Sequence, residues 1–181
     1  TVYKGDFKHV IRAWWELNHT LSIGDRKIIQ NGTFMEEGAL EMFSFNMLKG
    51  SWQSLKEPAS IVLSESASKA LFGESDPMNQ LLRIDNTMDV KVTGVYEDLP
   101  VNSRFSTLQF ISTWEFWVAP NYTWMKADEN NWSSDITTFV EIQPSTTFEA
   151  ASSKIKDVRL QKLNREQALA ENPRLFLEPM H

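Results

Sequence analysis

Alternating apolar positions mark two pairs of β-strands in the first half of the chain. Residues 8–17 and 26–35 are rich in β-branched and aromatic side chains and flank Gly24-Asp25, a pattern that predicts a β-hairpin. Residues 81–84 and 90–96 alternate in the same way on either side of a short polar turn. These four segments predict a substantial β-sheet.

A strand followed directly by a helix is predicted between the two pairs. Ser60 to Leu63 is a short apolar run typical of a buried strand, and Ser64 after it is a good helix N-cap. The helix should end at Gly73, because glycine adopts a positive φ at little cost.

The same order returns near the end of the chain. Residues 138–142 alternate as a strand, and Thr146 with Glu149 has the spacing of a capping box. Apolar residues then recur at helical intervals, which predicts a helix to about residue 163. Residues 175–177 form an apolar run that predicts a closing strand.

Residues 100–135 follow no single period. Prolines and small polar residues are mixed there with many aromatic side chains, which predicts an irregular insertion lobe. The aromatic residues fit either the core of this lobe or a binding surface, and the exposure of the tryptophans decides between them. The candidate interface residues are Trp114, Trp117, Tyr122 and Trp124.

Together these elements predict an α+β fold. Two βαβ-type halves would form one mixed sheet with helices on one face, interrupted by the aromatic-rich lobe. We expect the whole chain, 1–181, to form one domain, with approximately residues 1–99 and 136–181 in one sub-lobe and 100–135 in the other.

Composition excludes several classes of function. The chain has 24 acidic and 18 basic residues and a formal net charge of −6, without a basic stripe, so nucleic acid is not expected as a partner. Cysteine is absent, which excludes disulfides and thiolate chemistry. Without a run of about 20 apolar residues, nothing in the chain spans a membrane.

No catalytic constellation is found. His9, His19 and His181 lack metal-binding spacing, and the oxygen-rich segment 128–135 lacks the turn glycine of a calcium loop. Adjacent carboxylates such as Glu36-Glu37 would point to opposite faces of a strand and are expected to be solvated. We therefore expect no enzyme activity, no metal and no cofactor.

Three consecutive blocks, 34–50, 57–73 and 92–103, resemble the MacB-like periplasmic core domain of FtsX-type ABC transporter permeases, in its Bacteroidetes form. The second block ends in Leu-Phe-Gly, and the third contains Leu-Pro-Val-Asn-Ser. Asn79 stands where this family usually has glycine, and asparagine also tolerates a positive φ. The residues that match the family motifs, with structural roles, are Ser64, Phe72, Gly73, Pro77, Gly94, Pro100, Asn102 and Ser103.

The resemblance implies a mechanical function on the periplasmic side of the bacterial inner membrane. The domain would relay movement driven by a cytoplasmic ATPase, with a second permease copy and a periplasmic adaptor as further partners. It would be a piece of a longer protein anchored by flanking transmembrane helices, so its first and last strands should lie close together. The alternatives are a ligand-binding sensor with an aromatic cleft that holds a peptide or sugar and, less favoured, a hydrolase.

Overall fold

The computed structural model describes residues 5–119, 136–163 and 165–180, and these form a mixed sheet with short helices. The predicted α+β class is confirmed. The strands are β1 Phe7–Trp14, β2 Leu17–Ile23, β3 Arg26–Met35, β4 Met47–Lys49, β5 Ser60–Ser64, β6 Leu81–Ile84, β7 Met88–Tyr96, β8 Phe110–Thr113 and β9 Ile136–Ile142. The helices are α1 Ala39–Met42, α2 Glu65–Phe72, α3 at 114–119, α4 Phe148–Ile155 and α5 Arg165–Glu171, with 3₁₀ turns η1 Trp52–Leu55 and η2 Leu160–Lys162.

Six strands of the sheet form a closed circuit. The strand order is β2-β6-β7-β5-β8-β3-β1-β9. The first six strands of this order close on themselves, because β2 also pairs with β3. The pairs β5–β7 and β3–β8 are parallel, whereas the other pairs are antiparallel. The two-stranded ribbon β1–β9 lies outside the circuit and is attached to it through β3.

One core cluster fills the inside of the circuit. Each of the six strands contributes to it, and α2 and α3 add Ala67, Leu71, Trp114 and Trp117. Because side chains from all six strands contact one another in this cluster, the cluster must lie on the inner side of the closed circuit. The strand members are Leu21, Phe34, Ile61, Leu63, Leu82, Ile84, Val90, Val92 and Phe110.

A second cluster covers the outer face of β3, β8, β5 and β7. Successive residues alternate between the clusters, as Ile61 and Val62 do, because neighbouring side chains on a strand point to opposite faces. Ala39 and Leu40 of α1 and Leu55 of η1 belong to this outer cluster. Helical residues therefore pack on both faces of the sheet, and the expectation of helices on one face alone was wrong.

The first hairpin joins different strands from those predicted. The turn Gly24-Asp25 connects β2 to β3, with Leu17 opposite Gly32 and Ile23 opposite Arg26. The predicted partner of β3, residues 8–17, is β1, which meets β3 at a single register pair and lies mainly against β9. The break between β1 and β2 is only Trp15 and Glu16, with no glycine or proline to mark it in the sequence.

The predicted irregular region contains a strand of the central sheet. Phe110–Thr113 (β8) lies between β5 and β3, and all four residues are buried. A strand buried on both faces shows no alternation of apolar and polar residues, so its pattern did not reveal it. The sheet therefore extends into the predicted lobe 100–135, and residues 120–135 lie outside the described part.

The strand and helix around Ser64 are confirmed. The Ser64 hydroxyl accepts a hydrogen bond from the Ala67 backbone N–H at 3.1 Å, as an N-cap does. Gly73 ends α2 with a positive φ of 61°. The predicted pair 81–84 and 90–96 is also present, as β6 and β7.

The C-terminal third differs from the prediction at both ends of its helix. Thr147, rather than Thr146, caps α4 by accepting from the Ala150 backbone N–H, and α4 ends at Ile155. The predicted closing strand 175–177 is not formed, since residues 172–180 contain no strand. That segment runs along α4 instead, where its backbone donors find acceptors.

Candidate functional site

The two ends of the described chain meet on helix α4. The Lys154 ammonium lies 2.5 Å from Asp6, immediately before β1. Toward the other end, the Leu177 N–H donates to the Ser152 hydroxyl at 2.8 Å and the Leu175 N–H donates to the Lys156 carbonyl at 3.1 Å. The strand expected at 175–177 to lie close to the first strand is not formed, and β1 pairs along its length with β9 instead.

A narrow junction connects this ribbon to the six-strand circuit. Ala13 is opposite Met35, which is the register pair between β1 and β3. Next to it the Glu36 carboxylate accepts from the backbone N–H of Arg12 at 2.8 Å and from its guanidinium, with Nε at 2.9 Å. Glu36 is therefore an anchoring residue rather than a solvated one as expected, whereas its neighbour Glu37 is exposed.

Ser64 takes part in a polar network at the start of α2. Its hydroxyl lies 2.8 Å from the Gln109 side-chain oxygen, and the Ser66 hydroxyl reaches the same oxygen and the Asp98 carboxylate. The network ties α2 to the chain that leaves β7 and to the chain that enters β8. This supports a structural role for Ser64.

Gly94 allows β7 to approach its neighbours closely. A Cβ at this position would lie 2.9 Å from the Met47 methyl group and 3.0 Å from the Ser54 hydroxyl. Pro77 is buried, and Phe72 packs partly buried against the inner cluster. Each of these motif residues lies where packing constrains it.

Asn79 adopts the backbone conformation expected of the glycine it replaces. Its φ is 63°, and its N–H donates to the Val92 carbonyl at 2.8 Å. The turn therefore survives the replacement, because asparagine tolerates this conformation better than most residues.

The motif at 100–103 shapes a loop before β8. The Ser103 N–H donates to the Pro100 carbonyl at 2.8 Å, and the Ser103 hydroxyl accepts from the Phe105 N–H at 3.2 Å. Asn102 is exposed at the tip of this turn. The turn orients the next two residues, Arg104 and Phe105, toward the sheet.

A cleft of about 380 Å³ opens between this loop and the ribbon junction. Its floor comes from β1, β3 and β9, and its walls from the β1–β2 connection and the 104–107 loop. Sequence reasoning missed it, because its lining comes from four separated segments. The lining residues are Ala13, Trp14, Trp15, Glu16, Asn31, Thr33, Met35, Arg104, Phe105, Thr107, Thr137 and Phe139.

Glu16 is the acidic group of the cleft, and its side chain is only 17% exposed. Its carboxylate accepts three long hydrogen bonds, from the Asn31 amide at 3.2 Å, the Arg104 guanidinium at 3.4 Å and the Thr107 hydroxyl at 3.5 Å. Charge-assisted hydrogen bonds are normally about 2.7–2.9 Å long. The carboxylate is therefore held in place but weakly satisfied.

The candidate interface tryptophans are core residues where the structure describes them. Trp114 is 2% exposed and Trp117 is 9% exposed, and both lie in the inner cluster. Trp117 stacks against Trp14 with ring centroids 4.0 Å apart. Neither lines the cleft, and both belong to the core of the central sheet rather than to the core of a separate lobe, while Tyr122 and Trp124 lie outside the described residues.

The histidines have structural surroundings. His9 Nδ1 lies 2.7 Å from the Glu141 carboxylate, and hydrogen bonds from His9 and then Lys8 lower the pKa of Glu141. His19 Nδ1 lies 2.5 Å from Asp85 at the edge of the inner core, and His181 is outside the described residues. Across 5–119, 136–163 and 165–180, no three potential ligands come together as a metal site, and no helix has the length and apolarity to cross a bilayer.

Comparison with known proteins identifies relatives of the whole fold. Residues 7–158 match the family model of the MacB-like periplasmic core domain. A domain described as part of a permease from Porphyromonas gingivalis is similar, with a TM-score of 0.70, 20% identity and coverage of 99% of this chain and 78% of its own. No curated protein matches the chain.

Two further solved structures have the same fold. The periplasmic region of MacB from Actinobacillus actinomycetemcomitans gives a TM-score of 0.64 at 16% identity, over 94% of this chain and 78% of that one. The extracellular domain of the noncanonic ABC-type transporter YknZ from Gram-positive bacteria gives 0.57 at 13% identity, over 84% and 76%. At these identities the likeness concerns the fold alone.

Proposed function

Because this chain belongs to the MacB-like periplasmic core domain family, we propose that it is the extracytoplasmic domain of a bacterial ABC transporter permease. On the periplasmic side of the inner membrane, it relays ATP-driven conformational change for export or for handling of lipoproteins or peptides. Its partners are a cytoplasmic ATPase, which acts through the membrane part of the protein, a second permease copy and a periplasmic adaptor. It performs no chemistry of its own.

The observation that carries this proposal is that the two ends of the described part of the chain both contact α4. A relay must receive displacement at one place and move as a unit. Asp6 and Leu177 are both bonded to α4, two residues apart on that helix, and the ribbon β1–β9 leads from there to the sheet. Force applied to either end therefore enters the same element.

The packing of the sheet supports movement as a rigid body. The inner and outer clusters share β3, β5, β7 and β8, so both layers are joined through the same strands. Close-packed interiors of this kind transmit displacement with little internal deformation. In this proposal the motif residues Ser64, Phe72, Gly73, Pro77, Gly94, Pro100, Asn102 and Ser103 maintain that stiffness.

The test is a pair of distance measurements on the full-length permease with its ATPase in bilayers. The chain has no cysteine, so within this domain labels attach only at the cysteines that are introduced. One distance joins a label at Asn102→Cys to acceptor dyes in the lipid, and the other joins labels at Lys27→Cys and Lys69→Cys within the domain. We expect ATP to change the first distance and leave the second unchanged.

Two results would overturn the relay. One is an Asn102-to-bilayer distance that ATP does not alter, and the other is an internal distance that changes as much as the external one. A junction variant adds a mechanical test, since Glu36→Ala removes the side-chain bonds from Arg12 that reinforce the backbone pairing of β1 with β3. We expect it to reduce the ATP-dependent change, with the exposed neighbour Glu37→Ala as the matched control.

A further inference from the structure

The cleft beside the ribbon junction has no part in the relay as described. We propose that it binds a basic side chain, the ammonium of a lysine or the guanidinium of an arginine, presented by a partner polypeptide. The inference rests on the cleft itself and stands independently of the relay.

The size of the cleft fits one side chain and the backbone around it. Its volume of about 380 Å³ is near the lower end of small-ligand sites, roughly 300–1,000 Å³. A folded domain cannot enter such a space, whereas a single residue from an extended segment can.

Glu16 gives the cleft its preference for a cation. A carboxylate that is only 17% exposed has lost most of its contact with water, and such a group needs strong donors in compensation. Its three donors lie between 3.2 and 3.5 Å away, longer than charge-assisted bonds normally are. An incoming ammonium or guanidinium group would supply the short bonds that are missing.

The aromatic walls favour the same kind of ligand. Trp15, Phe105 and Phe139 line the cleft beside Glu16, and Trp15 is 51% exposed. The negative faces of aromatic rings attract organic cations, particularly where water is partly excluded. A carboxylate among aromatic rings therefore selects a cation with an apolar stem, which describes a lysine or arginine side chain.

Arg104 shows that a cation is accepted at this place. Its guanidinium carbon lies 5.9 Å from the centroid of the Phe105 ring, and a guanidinium nitrogen lies 3.4 Å from Glu16. The side chain is 56% exposed, so it is loosely held and can be displaced. Arg104 thus acts as an internal competitor that a ligand must displace.

Two features point to a polypeptide rather than a free amine. Thr137 lines the cleft opposite the 104–107 loop, and its hydroxyl can bond to a peptide group beside a bound side chain, whereas the Thr107 hydroxyl already donates to Glu16. The net charge of −6 also favours the approach of a basic segment.

The test is an NMR titration of the 181-residue chain with the acetylated and amidated peptide Gly-Lys-Gly. The expected result is a saturable shift of the Asn31 side-chain amide and the Trp15 indole N–H. The same peptide with norleucine in place of lysine should bind at least tenfold more weakly, because it keeps the stem and loses the charge. Butylamine alone should also bind at least tenfold more weakly, because it lacks the peptide groups.

Two variants separate a binding role from a structural one. Glu16→Gln should weaken lysine-peptide binding at least tenfold, while the exposed Glu37→Gln should leave it unchanged. Arg104→Ala should tighten binding severalfold because it removes the competitor, whereas loss of a merely structural ion pair would weaken or not affect it. Equal binding of the norleucine peptide, equal binding of butylamine, or an Arg104→Ala variant that binds no better than wild type would each overturn the proposal.

Discussion

Gly32 offers a sharp test of the packing inside the six-strand circuit. It is the register partner of Phe110 across the parallel pair β3–β8, and a Cβ added to it would lie 2.0 Å from the Phe110 ring. Carbon atoms in contact are normally about 3.5–4.0 Å apart. Phe110 is fully buried among the other strands, so its ring has no free space to enter.

The cost of Gly32→Ala follows from this geometry. Overpacking a core typically costs about 1–3 kcal/mol, and the contact here is severe enough to place the change at the upper end. We therefore expect a loss of about 3 kcal/mol in the free energy of unfolding, measured by urea denaturation with circular dichroism. Gly5→Ala is the matched control, because a Cβ at Gly5 meets nothing within 4 Å.

A double variant identifies the cause of the loss. Phe110→Ala alone should cost about 3–5 kcal/mol, as truncation of a buried phenylalanine does. Adding Gly32→Ala to it should then cost less than about 1 kcal/mol, because the ring that caused the clash is gone. A Gly32→Ala loss below about 1 kcal/mol, or equal losses in both backgrounds, would refute the packing described here.

Two further predictions concern stability. The Tyr96 phenol is buried, which raises its pKa well above the ordinary value, and its hydroxyl donates to the Leu108 carbonyl at 2.9 Å. Tyr96→Phe removes this hydrogen bond and should lower the free energy of unfolding by about 1–2 kcal/mol. Urea denaturation measures the change, and an unchanged midpoint would contradict the prediction. Hydrogen bonds from His9 and then Lys8 lower the pKa of Glu141, so its stabilising contribution is present above the unfolded-state pKa and is lost as pH falls through the folded-state pKa. The stability difference between wild type and Glu141→Gln should shrink between pH 7 and pH 3, and a constant difference would count against the assignment.

The features predicted correctly from sequence are those that neighbouring residues decide. The segment from Ser60 to Gly73 contains its own strand pattern, N-cap and helix end, and it folds as expected. The turn between β6 and β7 is set in the same way, by Asp85 and Asn86, which both have positive φ. In each case the information lies within a few residues of the structure it determines.

The features that were missed depend on distant partners. Phe110–Thr113 is a strand because β5 and β3 lie on either side of it. The apolar run at 175–177 is not a strand, because its N–H groups donate to Ser152 of α4 and to Lys156 just after that helix. The cleft was not predicted from the sequence for the same reason, because Glu16 and Arg104 are 88 residues apart in the chain. Only the assembled sheet brings such pairs together.

The cleft lies at the ribbon junction, through which the proposed relay would transmit displacement between the β1–β9 ribbon and the six-strand circuit. Ala13 and Met35 form the register pair between β1 and β3, and both also line the cleft. The Thr33 hydroxyl, another lining group, donates to the Trp14 carbonyl at 2.7 Å just beyond that pair. A group bound between Glu16 and the 104–107 loop would therefore contact both sides of the junction.

Binding of a basic side chain in the cleft can be coupled to movement of the β1–β9 ribbon only if the two affect the same contacts. A ligand shifts a conformational equilibrium only by the difference in its affinity for the two states. If the ribbon pivots at Ala13 and Met35, the distance from Thr137 and Phe139 of β9 to the 104–107 loop changes with it, and so does the shape of the cleft around a bound side chain. If the junction stays rigid, the cleft binds equally in both states and exerts no control. Measuring lysine-peptide affinity in Glu36→Ala, which loosens the junction, distinguishes the two, because only a pivoting ribbon makes the affinity depend on that anchor.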